Sequence, residues 1–130
     1  MTAPIVVLDA CTLYPAALRD LLMRLAVAGL IQARWTAAIH EEWINALLRE
    51  RPDLTRDALD RIRELMDRHA EGSLVTGYEY RIDGLSLPDP DDRHVLAAAL
   101  EAEAESIVTW NQKDFPPSIL GPLGIEILTP

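Results

Sequence analysis

The chain has 130 residues and a formal net charge of -9. Nearly half the residues are apolar and a quarter are charged, which excludes a disordered chain and leaves length for one domain spanning 1–130. No run approaches the ~18 apolar residues of a membrane helix, and an acidic balance argues against a surface built broadly for polyanions.

The start, Met1-Thr2-Ala3-Pro4, carries no basic segment ahead of its apolar run, so no signal peptide is expected. A single cysteine, Cys11, excludes an intrachain disulfide and suits a reducing cytoplasm.

In chain order, Ile5-Val6-Val7-Leu8 is a β-branched run expected to form a strand buried on both faces. Leu13 to Ala28 reads as a helix, with Leu18, Leu21, Leu22, Leu25 and Ala26 at helical spacing and Gly29 as the stop. Leu30 to Trp35 is a second short strand. Thr36 is the N-cap of a helix reaching about Arg49, which Pro52 ends. A third helix starts near Thr55, with Leu59, Ile62, Leu65, Met66 and His69 on one face and Gly72 beyond it.

Residues 73–88 are broken by Gly77, Gly84 and Pro88 and fit no long element. Asp89 then caps a helix with Pro90 in its first turn, running to about Glu105. Ser106 to Trp110 and Ile125 to Leu128 are the last two strands. Alternation of strands with helices predicts an α/β sandwich with a mostly parallel sheet, helices on both sides, and ligands beyond the carboxyl ends of the strands.

Particular acids fall where simple solvation does not explain them. Asp9 comes directly off the first strand. It is either a turn former bonding to the backbone near Thr12 or a site residue. Glu42 lies about 60° from Ile39 by helix geometry, at the edge of the Ile39, Trp43, Ala46, Leu47 stripe, whereas Glu41 points to the surface. An inward Glu42 needs an arginine partner or a metal.

Asp92 lies about 60° from Val95, toward the face made by Val95, Leu96, Ala99 and Ala102. Asp89 and Asp91 have a sufficient role in capping and first-turn charge, and Asp92 is open to the same role. Asn111 and Asp114 follow the Ile107 strand and either line the same crevice or form a polar turn. Together Asp9, Glu42, Asp92 and one of Asn111 and Asp114 can converge at one end of the sheet. Their mutual repulsion is relieved by a hard divalent cation with oxygen ligands, a site suited to phosphodiester cleavage.

The remaining chemistry-bearing residues read as structural. Cys11 is expected to be a small buried thiol. His40 and His94 are expected on exposed helix sides, with His69 bordering an apolar face. Trp35 and Trp43 read as core. Trp110 beside the crevice also reads as core, with stacking on a base as the alternative. The arginines from Arg49 to Arg68 alternate with Asp53, Asp57, Asp60, Glu64 and Asp67 and read as a solvated helix face. Arg93 and Lys113 flank the acids, for phosphate or for charge balance.

The pieces Val7-Leu8-Asp9-Ala10, Glu42, Leu87-Pro88-Asp89-Pro90-Asp91-Asp92-Arg93-His94-Val95-Leu96-Ala97-Ala98-Ala99 and Ile107-Val108-Thr109-Trp110-Asn111-Gln112-Lys113-Asp114-Phe115-Pro116, in that order, resemble the PIN-domain family, which includes the VapC-type toxins of bacterial toxin–antitoxin pairs. The resemblance implies a Rossmann-like three-layer α/β/α sandwich and a Mg²⁺- or Mn²⁺-dependent endoribonuclease, the toxin of a type II pair. It implies that Asp9 and Asp92 are the principal metal ligands, that Glu42 is a third acid, and that Asn111 or Asp114 supplies a fourth polar group. It further implies an RNA substrate, an antitoxin partner and a homodimer. The alternative is a degenerate PIN domain that binds RNA or protein without catalysis. A haloacid-dehalogenase-like phosphatase needs a second Asp where Cys11 stands, and the chain is short for a flap-type nuclease.

Overall fold

The computed structural model describes residues 2–130. Four parallel strands, β1 (Ile5–Leu8), β2 (Gln32–Arg34), β3 (Ser106–Val108) and β4 (Glu126–Leu128), form one sheet in the order β2-β1-β3-β4. Val7 pairs with Arg34 on one side and Ile107 on the other, and Ile107 pairs with Ile127. The β-branched β1 is central, and Val6, Val7 and Leu8 are buried as two-sided coverage requires.

The chain moves from β1 to β2 in one direction and then returns past β1 to β3 and β4. Right-handed crossovers therefore place helices on both faces, as the α/β reading expects. The reversal falls between β1 and β3, and it opens the crevice where parallel sheets bind ligands.

The helices are α1 (Ala10–Leu13), α2 (Ala16–Val27), α3 (Ala37–Glu50), α4 (Arg56–His69), α5 (Arg93–Glu101) and α6 (Pro117–Leu120). The expected single helix from Leu13 is thus two. Pro15 is extended at φ -72° and ψ 124° and lacks the amide a continuous helix needs, so one turn ends at Tyr14 and a new helix begins. Thr36 and Thr55 cap α3 and α4 by accepting from the amides of Ile39 and Ala58.

The helix after Asp89 starts as a 3₁₀ turn over Pro90–Asp92 and ends four residues before the expected Glu105, at Glu101. Ala102 closes it, and Glu103 adopts φ 54° to turn the chain into β3. Residues 73–88, which predicted no long element, contain one 3₁₀ stretch, Glu79–Gly84. Val95, Leu96 and Ala99 of α5 pack on the sheet, wholly buried.

The arginine-rich stretch forms ion pairs rather than a free basic patch. Arg51 pairs with Asp53, and Arg56 pairs with Asp60 one turn on. Arg56 and Arg63 both reach back to Glu41, joining α4 to α3. Glu41 is therefore a helix-to-helix tie, not the isolated surface acid its angle on α3 suggested. Its position opposite α4 decided this.

Candidate active site

Asp9 is the first residue past β1 and the N-cap of α1. Its Oδ1 accepts from the Ala10 amide at 2.8 Å. Its backbone carbonyl accepts from the Thr12 hydroxyl at 2.7 Å. The turn-forming reading of this residue is thus seen directly, and its second oxygen points elsewhere. That oxygen, Oδ2, accepts from the Thr109 hydroxyl at 2.8 Å.

Thr109 follows β3, is wholly buried, and also accepts from the Asn111 amide at 3.1 Å. It ties the ends of β1 and β3 together across the crevice. Sequence reasoning missed it. The available signal was its position next to a strand end, opposite Asp9 in a parallel register.

Cys11 completes this support. Its sulfur lies 3.4 Å from Thr109 Oγ1 and accepts from the Trp110 amide at 3.4 Å. Burial pushes the Cys11 thiol up, with Asp9 adding to the effect, so it stays protonated and is a poor nucleophile.

Burial raises the Asp9 pKa, and Glu42 adds to the rise. The hydrogen bonds from Thr109 and Ala10 work against it. Asp92 is half-buried at the junction of the 3₁₀ turn and α5. The capping duty falls to Asp89, which accepts from the Asp91 amide at 2.9 Å, while Asp92 makes no capping bond. Its carboxyl is pushed up to about 6, first by burial and then by the charges of Asp9, Asp89, Asp114 and Glu42.

Glu42 differs from expectation. It is exposed rather than drawn inward, and it stays at the site because His94 Nε2 lies 3.1 Å from its Oε1. His94 was expected on an outer helix side. Instead its side chain is mostly covered, and its Nδ1 is buried with no hydrogen-bond partner among the described residues. Burial works to lower the His94 pKa, but the hydrogen bond and charge of Glu42, with Asp9 and Asp92, outweigh it and hold the imidazole above its ordinary value.

His40, also expected outside, is wholly buried, with Nε2 2.9 Å from Asp67 Oδ1 and Nδ1 accepting from Trp43 Nε1 at 3.0 Å. The packing of α4 against α3 encloses it. His69 is exposed.

Asp114 is half-buried in a 3₁₀ turn over Gln112–Asp114 and close enough to raise the Asp92 pKa, whereas the Asn111 side chain is exposed and makes no cap bond. Trp35 and Trp43 lie in the core as expected, but Trp110, just past the end of β3, is 55% exposed. Arg93 Nε donates to the Pro90 carbonyl at 3.0 Å and steadies the Asp92 turn.

The donor set is hard oxygen. The charge of Asp9 adds to the cost of ionising Asp92, a pairing that suits an open Mg²⁺-like site completed by water and substrate oxygens. Among the described residues no group of three or more His, Cys, Asp or Glu side chains is placed to hold a metal ion.

A family model described as PIN domain matches residues 5–113, most of the chain. The chain belongs to the PIN-domain family. The match spans Asp9, Glu42, Asp92 and Asn111 and stops just short of Asp114. This PIN domain is also similar to a curated Mycobacterium tuberculosis protein named "Putative ribonuclease VapC50". The two are 56% identical over 39 residues, a stretch covering 30% of this chain and 23% of the relative. The match thus spans under a quarter of that relative's length. No solved structure matches the chain.

Proposed function

We propose that this PIN domain, acting as one unit over 1–130, is a Mg²⁺- or Mn²⁺-dependent endoribonuclease and the toxin of a type II toxin–antitoxin pair. One observation carries the reading. At the β1/β3 crevice a half-buried Asp92, excused from capping by Asp89, faces the charge of a buried Asp9 whose orientation is set from both sides. A cation near the two would offset this unfavourable charge.

In this reading Asp9 and Asp92 hold the metal, with Glu42 as third acid and Asp114 or Asn111 as the fourth polar group. A bound Mg²⁺ or Mn²⁺ lowers the pKa of water and offsets negative charge on the phosphate. The chain's own residues do the positioning. Thr109 and the Ala10 amide hold Asp9 in one orientation, so little reorganisation is needed when charge develops. Glu42, tethered by His94, is the group to accept a proton from water attacking the phosphodiester. Exposed Asn111 and Lys113 are available for the RNA backbone.

The partners of this reading are an RNA strand, an antitoxin and a second copy of the chain. Exposed Leu21, Val27, Leu30 and Leu65 give apolar surface for protein contacts. The proposed setting is the cytoplasm, where a lone thiol such as Cys11 stays reduced. Among the described residues no helix is long and apolar enough to cross a membrane.

The second reading, a non-catalytic binding module, is favoured by the lack of any three-donor group placed to hold a metal ion among the described residues. The test is cleavage of a mixed RNA pool with Mn²⁺. The nuclease reading expects Asp92→Asn to lose about 10³-fold or more and EDTA to stop the wild type. A well-folded wild type that binds RNA but never cuts it would establish the binding module instead.

A further inference from the structure

The three tryptophans have opposite settings. Trp35 and Trp43 are buried, at 0% and 1% exposure, whereas Trp110 is 55% exposed. A half-exposed indole is a large aromatic face that a ligand can cover. The chain fixes its backbone from both sides. The Trp110 amide donates to Cys11 Sγ at 3.4 Å, and the next amide, of Asn111, donates to Thr109 Oγ1 at 3.1 Å. The same Thr109 hydroxyl donates to Asp9 Oδ2 at 2.8 Å. Trp110 is therefore one residue, about 3.8 Å between Cα atoms, from the residue that holds Asp9.

Two observations say what covers the ring. The first is its company. Asn111, Gln112 and Lys113 follow it, all exposed and polar. Lys113 is the only lysine of the chain and forms no ion pair among the described residues. An aromatic face beside amides and an uncommitted cation suits a base and its phosphate better than the broad apolar patch of a protein interface. The second observation is charge. The chain carries -9, and Arg24, Arg51, Arg56, Arg63 and Arg81 are committed to carboxylates. Phosphate contacts alone are then a weak source of RNA affinity, and a contact without charge has to supply part of it. Stacking is such a contact, because every base has a π-face.

We propose that Trp110 is a stacking platform for one unpaired nucleobase of the RNA strand, next to the phosphodiester held at Asp9 and Asp92, with Lys113 on an adjoining phosphate. Any of the bases serves. A base inside a duplex does not, because its faces are already stacked. The proposal rests on the RNA reading above, but it concerns binding and is tested without turnover.

The test uses the full chain carrying Asp92→Asn, Mg²⁺ and a single-stranded RNA hexanucleotide, with affinity read by fluorescence polarisation. A second strand of the same length is abasic throughout, so that it keeps the phosphates and lacks the bases. Both strands are measured again with Trp110→Ala added and with Trp110→Phe added. Because the other two tryptophans are buried, a change in indole emission on adding unlabelled RNA reports Trp110. Circular dichroism and melting check the fold.

The single strand is expected to quench the indole emission, and duplex RNA of the same sequence to leave it unchanged. Trp110→Ala should bind the intact strand about tenfold more weakly and the abasic strand as its parent does. Trp110→Phe should keep most of the affinity. Equal affinity for the intact strand in Trp110→Ala and its parent, an alanine defect as large on the abasic strand, or no RNA binding at all would overturn the platform. If the alanine defect depends on the bases while the wild type cuts no RNA, the platform stands and the nuclease reading falls. If the wild type cuts RNA but Trp110→Ala binds like its parent, the reverse holds.

Discussion

Two histidine–carboxylate pairs in this PIN domain are alike in chemistry and opposite in circumstance. His40 and Asp67 meet at 2.9 Å, and His94 and Glu42 at 3.1 Å. Both His40 nitrogens are used: Nδ1 accepts from Trp43, Nε2 meets Asp67 Oδ1, and that oxygen also accepts from Trp35 at 2.6 Å. With Nδ1 accepting, Nε2 carries the proton and donates to Asp67. That network joins α3, α4 and the end of β2, and burial holds the His40 pKa below its ordinary value against the pull of Asp67.

Around His94 the network is open. Nδ1 has no partner among the described residues, Glu42 is exposed, and Asp9 and Asp92 add negative charge. A closed network contributes to stability, whereas an open one leaves polar capacity for a ligand.

The largest effect expected from this contrast is on folding. His40→Ala leaves the Trp43 N–H unpaired and creates a cavity in the wholly buried core, and should cost about 3 kcal/mol in urea unfolding. A loss under about 1 kcal/mol would break the comparison. His94→Ala should instead stay within about 1 kcal/mol of wild-type stability while lowering RNA cleavage about tenfold. His94→Gln, which can still donate to Glu42, should recover most of that activity, and equal defects in the two variants would remove the positioning role.

Asp92 supplies a third test. Its carboxyl sits at about 6 in the folded chain against 3.8 ordinarily, so the folded state holds the proton more tightly and loses stability as pH rises from about 4 through about 6. In EDTA, Asp92→Asn should therefore be more stable than wild type by about 1 kcal/mol at pH 8, the shift being discounted for the solvent that still reaches the carboxyl. The difference should vanish near pH 3.5. Denaturant melts across this range check it, and a destabilised amide variant at pH 8 would contradict the strained-pair picture.

The smallest signal is spectroscopic. In EDTA, NMR titration should find His40 protonating below the ordinary 6.5 and His94 above it. The signs of their stability effects differ accordingly. The neutral His40 contribution is complete above 6.5 and fades as pH falls below it. The His94 contribution is complete below 6.5 and fades as pH rises through its folded value. Identical titrations would erase the distinction.

Much of this was legible in local sequence. Thr36 and Thr55 cap helices because their hydroxyls reach amides three residues on, a purely local geometry. The β-branched run of β1 marked a strand buried on both faces, and Asp89-Pro90 marked a helix start, while only the structure shows that Asp89 and not Asp92 does the capping. Local pattern misled where a partner element decided the outcome. His40 and Glu41 look exposed on α3 alone, and α4 buries one and pairs the other. Trp110 reads as core from the sequence, yet it is 55% exposed just beyond the end of β3. Pro15 is the exception, a local breaker that splits the helix in spite of the leucine periodicity around it.

The order of strands, helices and acids was thus written in the sequence by itself, since caps, breakers and hydrophobic period act over a few residues. Only the tertiary structure decided that Thr109 would hold Asp9 and that His94 would hold Glu42. These contacts join residues far apart in the chain, and the parallel register and helix packing that create them depend on every element at once.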